Sequence, residues 1–108
     1  QTGQFGQTNY SAAKAGMHGF TMALAREVAR KGVTVNSVSP GYCETAMVMA
    51  VPEEVRSKIV DSVPVGRLGK PSEIARTVEF LTADDAGFIT GADLPCDGGL
   101  LAVFPKSS

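Results

Sequence analysis

Apolar residues recur at helical spacing in two stretches of this chain and cluster at strand-like density in two others. That alternation predicts an α/β fold with a parallel sheet. Met17, Phe20, Leu24 and Val28 share one helical face, and Ala12, Gly16, Gly19 and Ala23 form a second stripe of small residues. Together they predict a core-facing apolar stripe and a close-packing face on one helix from Tyr10 to Ala29, about 30 Å long. Thr8 or Asn9 is suited to cap its start, and Arg30-Lys31-Gly32 to end it. The β-branched run Val33–Val38 predicts a strand that stops at Pro40-Gly41. Residues 41–51 show no regular period. Pro52-Glu53-Glu54 then opens a short helix, with proline at its start and acids in the first turn. After a connecting loop over Val63–Gly69, Pro71-Ser72-Glu73 opens a second helix whose Ile74, Val78 and Leu81 keep i, i+4, i+7 spacing. Gly87–Gly99 contains a last strand, and Leu100–Ser108 is a tail.

Composition narrows the partners. The chain has 108 residues, is 44% hydrophobic and 19% charged, and carries a formal net charge of −1. This is single-domain length. With no basic patch, nucleic acid and anionic membrane are not expected as partners. No apolar run approaches the ~20 residues of a membrane span. Gln1-Thr2-Gly3-Gln4 lacks the basic and apolar regions of a signal peptide, so a cytoplasmic location is expected. Cys43 and Cys96 lack metal-ligand spacing and are expected to be reduced thiols. The single histidine, His18, falls inside the long helix and reads as a packing or interface residue; no metal site is expected.

The chemistry centres on Tyr10 and Lys14. Four residues apart, they share one helix face. Free tyrosine ionises near pH 10, and a neighbouring cation favours the phenolate. A tyrosine tuned in this way can pass a proton to or from a substrate oxygen near neutral pH.

YxxxK is a weak pattern by itself. Here it is followed in order by Asn36-Ser37-Val38-Ser39-Pro40-Gly41, Thr45, Gly69-Lys70-Pro71-Ser72-Glu73-Ile74-Ala75, Ile89-Thr90-Gly91-Ala92 and Asp97-Gly98-Gly99. From Gly3 to Gly99 the series closely resembles the C-terminal half of the classical short-chain dehydrogenase/reductases. Gly3 through Met22 is most similar to the acetoacetyl-CoA reductases among them, with the 3-oxoacyl-carrier-protein reductases next.

The resemblance implies a Rossmann-type, doubly wound parallel sheet, of which residues 1–108 are the C-terminal part of one domain. The Gly-rich phosphate loop, the ribose-reading residue and the catalytic serine would lie upstream, so the 108 residues alone are expected to be inactive. It implies reduction of a 3-oxoacyl thioester, with acetoacetyl-CoA the favoured substrate and a carrier-protein thioester the alternative. Tyr10 would be the general acid and also contact the cofactor, supported by Lys14, which would also hold the nicotinamide ribose. Pro40, Gly41, Cys43 and Thr45 would contact the cofactor, Cys43 through its backbone; for Thr45 a helix cap is the rival role. Gln4, Gln7 and Tyr42 would face the acyl substrate. Residues 46–66 would form a mobile lid, with Met47, Met49 and Val51 as its apolar contacts. NADPH is the expected cofactor and NAD the open alternative, because the residues that decide lie outside the chain. A homotetramer through the Tyr10–Ala29 helix and the last strand is implied. From a different class, the 108 residues could instead serve as a non-catalytic association module.

Overall fold

The computed structural model describes residues 2–102, with side chains from Ala12 onward. The elements run in the order α1 (Thr2–Val28), a 3-10 turn (Ala29–Lys31), β1 (Ser37–Pro40), α2 (Ala46–Met49), α3 (Glu53–Ser62), α4 (Pro71–Leu81) and β2 (Asp93–Cys96). β1 and β2 pair in parallel: Ser37 N donates to Ala92 O (2.9 Å) and Gly41 N to Cys96 O (3.2 Å). Helices joined to two parallel strands make the expected partial Rossmann-like α/β arrangement. The chain divides into two compact units, Gln1–Ser37 with Leu81–Leu94, and Val38–Phe80 with Pro95–Ser108.

In the first unit, α1 begins well before Tyr10. Thr8 and Asn9 lie inside the helix rather than capping it. No proline interrupts Thr2–Asn9, and extending a helix by one residue is far easier than starting one, so propagation overrides the cap-forming side chains. The C-terminal stop is as expected. Gly32 adopts φ 78°, a left-handed conformation that glycine takes without penalty, and its N–H closes onto Ala29 O at 3.0 Å.

The packed face of α1 differs from the expected one. Thr21 and Ala25 are buried, whereas Met17 and Phe20 are 59% and 63% exposed. Small side chains decide this: Gly91 approaches so closely that a Cβ there would lie 3.5 Å from Ala25 Cβ. A bulky residue cannot occupy that contact. Thr21 Oγ1 donates to Met17 O at 2.9 Å, so the buried hydroxyl is satisfied within the helix.

The expected strand over Val33–Val38 is displaced to Ser37–Pro40. Before Ser37, side chains supply most of the hydrogen bonding. Asn36 Nδ2 donates to Ile89 O (3.1 Å), and its Oδ1 accepts from Ala92 N (3.0 Å). Val35 N donates to Thr90 Oγ1 (3.0 Å), Gly91 N to Val35 O (2.7 Å), and Ser37 Oγ to Asp93 Oδ1 (2.7 Å). Within the β-branched run a ladder forms only where β2 runs beside it.

The second unit contains α2, α3 and α4. α3 starts one residue after Pro52, and α4 starts at Pro71 as expected. Val63, Leu68 and Cys43 are buried. A parallel bridge between Cys43 and Gly69 ties the residues after β1 to the loop before α4, through Gly69 N to Tyr42 O (2.9 Å) and Glu44 N to Gly69 O (2.8 Å). α2 lies within the stretch where no element was expected.

Candidate functional site

The residues that leave β1 turn at once into a wide apolar depression of about 570 Å³ in the second unit. Pro40, Gly41, Tyr42, Cys43 and Thr45 form one wall. Val48 of α2 and Pro71, Ile74 and Ala75 of α4 form the other. All four residues expected to hold the cofactor by their position after the strand, and Tyr42 from the expected substrate set, are thereby brought together. Ile74 and Ala75 carry no such expectation from the sequence, and Val48 carries one only as part of the expected 46–66 lid. Ile74 shows only as one position of an amphipathic period, and Val48 is otherwise signalled only by lying three residues after a cap-forming threonine.

Thr45 takes its rival role as well as its wall position. Its Oγ1 accepts from Val48 N at 3.3 Å and caps α2, which leaves the hydroxyl proton for another acceptor. Val48 reaches the depression, while Met47, one of the residues expected to contact a ligand, is 81% exposed. On a helix this short, one side chain faces inward and its neighbour must face out.

Cys43 is buried, and its carbonyl accepts from Thr45 N at 2.8 Å. Burial pushes its thiol up, with Cys96 and Glu73 nearby adding to the effect. A thiol kept neutral is a poor nucleophile. Cys96 is also free, with Thr77 Oγ1 at 3.3 Å from its sulfur.

Tyr42 also borders a smaller depression of about 250 Å³, walled by Arg67, Glu73 and the Asp97–Gly99 turn. Its charged groups are already engaged, with one another or with backbone N–H groups. Arg67 donates two hydrogen bonds of 2.9 Å to the Glu73 carboxylate, which also accepts from Lys70 N at 2.9 Å across the first turn of α4. Asp97 accepts from Gly99 N (3.0 Å) and Leu101 N (3.2 Å).

The Arg67 hydrogen bonds, chiefly, and the Lys70 N–H hold the Glu73 carboxyl down at about 2. A depressed carboxylate stabilises the folded chain fully above its ordinary value of 4.5 and loses that contribution as pH falls through about 2. The Arg67 and Glu73 side chains are 56% and 43% exposed, so solvent screens the pair and the effect is modest. Glu73→Gln is therefore expected to lower thermal stability at pH 7, with the gap from the parent closing between pH 4.5 and 2. A gap that stays constant across that range in thermal denaturation would exclude the ion pair as its source.

In the first unit, Lys14 is half-buried on α1, and one turn on the half-buried His18 has a buried Nδ1 with no hydrogen-bond partner among the described residues. The side chains of Tyr10, Gln4 and Gln7 lie outside the described residues. Among those residues, no helix is long and apolar enough to cross a membrane, and no cluster of metal-binding side chains is present.

These features define an α/β chain with a glycine turn and an apolar hollow at the exit of a parallel strand. A family model described as Enoyl-(Acyl carrier protein) reductase matches residues 1–101, and the chain belongs to this family of short-chain dehydrogenase/reductases. It is 61% identical over 100 residues to the acetoacetyl-CoA reductase of Allochromatium vinosum, covering 93% of this chain and 41% of that protein. It is 63% identical over 100 residues to the acetoacetyl-CoA reductase of Cupriavidus necator, covering 93% and 41% respectively. The 3-oxoacyl-[acyl-carrier-protein] reductase of Pseudomonas aeruginosa is 51% identical over 98 residues, covering 91% and 40%. The chain thus spans about two fifths of the length of the curated relatives it matches.

Proposed function

We propose that these residues are part of an NADPH-dependent reductase that converts acetoacetyl-CoA to 3-hydroxybutyryl-CoA. The observation that carries this reading is the apolar depression at the exit of β1, where Pro40, Gly41, Cys43 and Thr45 meet Val48 and Ile74. Similarity to acetoacetyl-CoA reductases over 93% of the chain supports the choice of thioester.

The depression suits a nicotinamide. Its walls are mostly apolar, as a flat aromatic ring requires, and the Thr45 hydroxyl supplies a donor for a carboxamide oxygen. When bound, the nicotinamide supplies a hydride to the carbonyl carbon. Tyr10 Oη gives its proton to the carbonyl oxygen as negative charge develops there. Lys14, one helical turn further on, favours that transfer with its charge. Tyr42, 43% exposed at the rim, orients the acyl group by hydrogen bonding. The small-residue stripe on α1 joins subunits.

The test is NADPH oxidation by the intact protein with acetoacetyl-CoA and, in parallel, an acetoacetyl carrier protein. Preferential turnover of the CoA thioester is expected. Preference for the carrier protein would transfer the assignment to the 3-oxoacyl-carrier-protein reductases, and turnover of neither would overturn the reading.

A further inference from the structure

We propose that Arg56 is a positioning residue that straps α2 over the apolar depression and so sets the affinity for the cofactor; the inference rests on the reading above. α2 has only four residues and cannot hold itself together. Its i→i−4 bonds are Met49 N to Thr45 O (2.9 Å) and Ala50 N to Ala46 O (3.0 Å), too few to offset the cost of starting a helix. Both ends therefore depend on side chains. Thr45 secures the first, through Val48 N.

Arg56 secures the second from the next helix. Its Nη1 donates to Met49 O at 3.1 Å and to Val51 O at 3.3 Å. Met49 O is a carbonyl that the helix end leaves without an intrahelical partner, Val51 O lies just past that end, and a guanidinium is well suited to join the two. Arg56 is half-buried and sits on a firm base: its own N–H and that of Val55 both donate to Pro52 O at 3.0 Å. The ten-residue α3 then ends at Val63, which is only 4% exposed.

The consequence falls on the depression. Thr45 and Val48 are the two wall residues that α2 and its cap contribute. With Arg56 in place, both are fixed relative to the Pro40–Cys43 wall. Without it, two carbonyls lose their donor and the end of α2 frays, so the wall is formed only part of the time. Cofactor affinity falls in proportion to that fraction.

The experiment compares Arg56→Leu, which removes the donors but keeps an apolar stem, with Arg56→Lys, which keeps the charge and a donor. NADPH affinity is followed by fluorescence titration of the intact protein, with steady-state kinetics and amide hydrogen exchange alongside. Arg56→Leu is expected to weaken NADPH binding on the order of tenfold, equivalent to about 1.4 kcal/mol. The loss should fall on the cofactor KM rather than on kcat, with faster exchange confined to residues 46–51 and partial recovery in Arg56→Lys. If the parent binds NADPH and Arg56→Leu binds it equally well, the strap is overturned while the enzyme reading stands. A general loss of thermal stability with exchange raised throughout would also overturn it, by making Arg56 a fold residue only. A parent that binds no NADPH overturns the enzyme reading itself.

Discussion

Replacing Tyr10 by phenylalanine in the intact protein is expected to lower kcat at least a hundredfold while leaving NADPH affinity close to the parental value. The substitution removes one oxygen and its proton and keeps the ring, so the steric change is small. On the proposed mechanism, the substitution would remove the proton that Tyr10 supplies to the carbonyl oxygen. General acid catalysis by a positioned group contributes typically 10²–10⁴-fold. The two readouts divide the question. Stopped-flow or steady-state oxidation of NADPH reports the chemical step, and fluorescence titration reports binding. A Tyr10→Phe variant with near-parental turnover would remove tyrosine from the proton path. A variant that lost turnover and cofactor binding together would make Tyr10 a binding residue instead.

The sequence was most readable where local chemistry decides the backbone. Gly32 ends α1 because a left-handed residue is needed there, and α4 starts at Pro71 with Glu73 accepting from Lys70 N. Neither depends on distant contacts. The strand was misplaced for the opposite reason. Val33–Val38 has the right composition throughout, but the partner that decides where a ladder forms lies more than fifty residues away. The same holds for α1, where periodicity marks an apolar stripe without saying which neighbour meets the helix. Gly91 meets it over Ala25, and Met17 and Phe20 are left exposed.

α2 escaped detection because four residues are too few for a period and its ends are held by a cap and by Arg56. The candidate site divides along the same line. Pro40 to Thr45 are nearly consecutive, so one motif exposes them together. Val48, Ile74 and Ala75 reach the depression from α2 and α4, and their apolar character resembles that of any packed position.

Gly41→Ala is the second large effect expected. Gly41 leaves β1 with its N–H donating to Cys96 O at 3.2 Å, which brings its Cα against Asp97, the residue just after β2. A Cβ there would lie 2.7 Å from Asp97 Cβ, 2.8 Å from Asp97 Cα and 3.2 Å from Asp97 O. Carbon atoms do not approach so closely, and Asp97 cannot give way. Its carboxylate accepts from Gly99 N and Leu101 N, and its carbonyl accepts from Leu100 N at 3.3 Å. The turn behind it is equally fixed: Gly98 takes φ 66° with Val63 and Val65 packed where a side chain would project. An alanine must therefore separate the ends of the two strands or unwind the Asp97 turn. Overpacking of this kind typically costs about 1–3 kcal/mol, and a clash against backbone places it at the upper end. For a protein of the relatives' size that corresponds to a fall in Tm of roughly 6–12 °C. Because Gly41 is also a wall of the depression, NADPH affinity should fall with it. Gly87→Ala is the matched control, since a Cβ at Gly87 meets nothing within 4 Å and parental stability is expected. Differential scanning calorimetry of both variants tests the claim, and a Gly41→Ala protein with parental Tm and parental cofactor affinity would show that the strand exit tolerates a side chain.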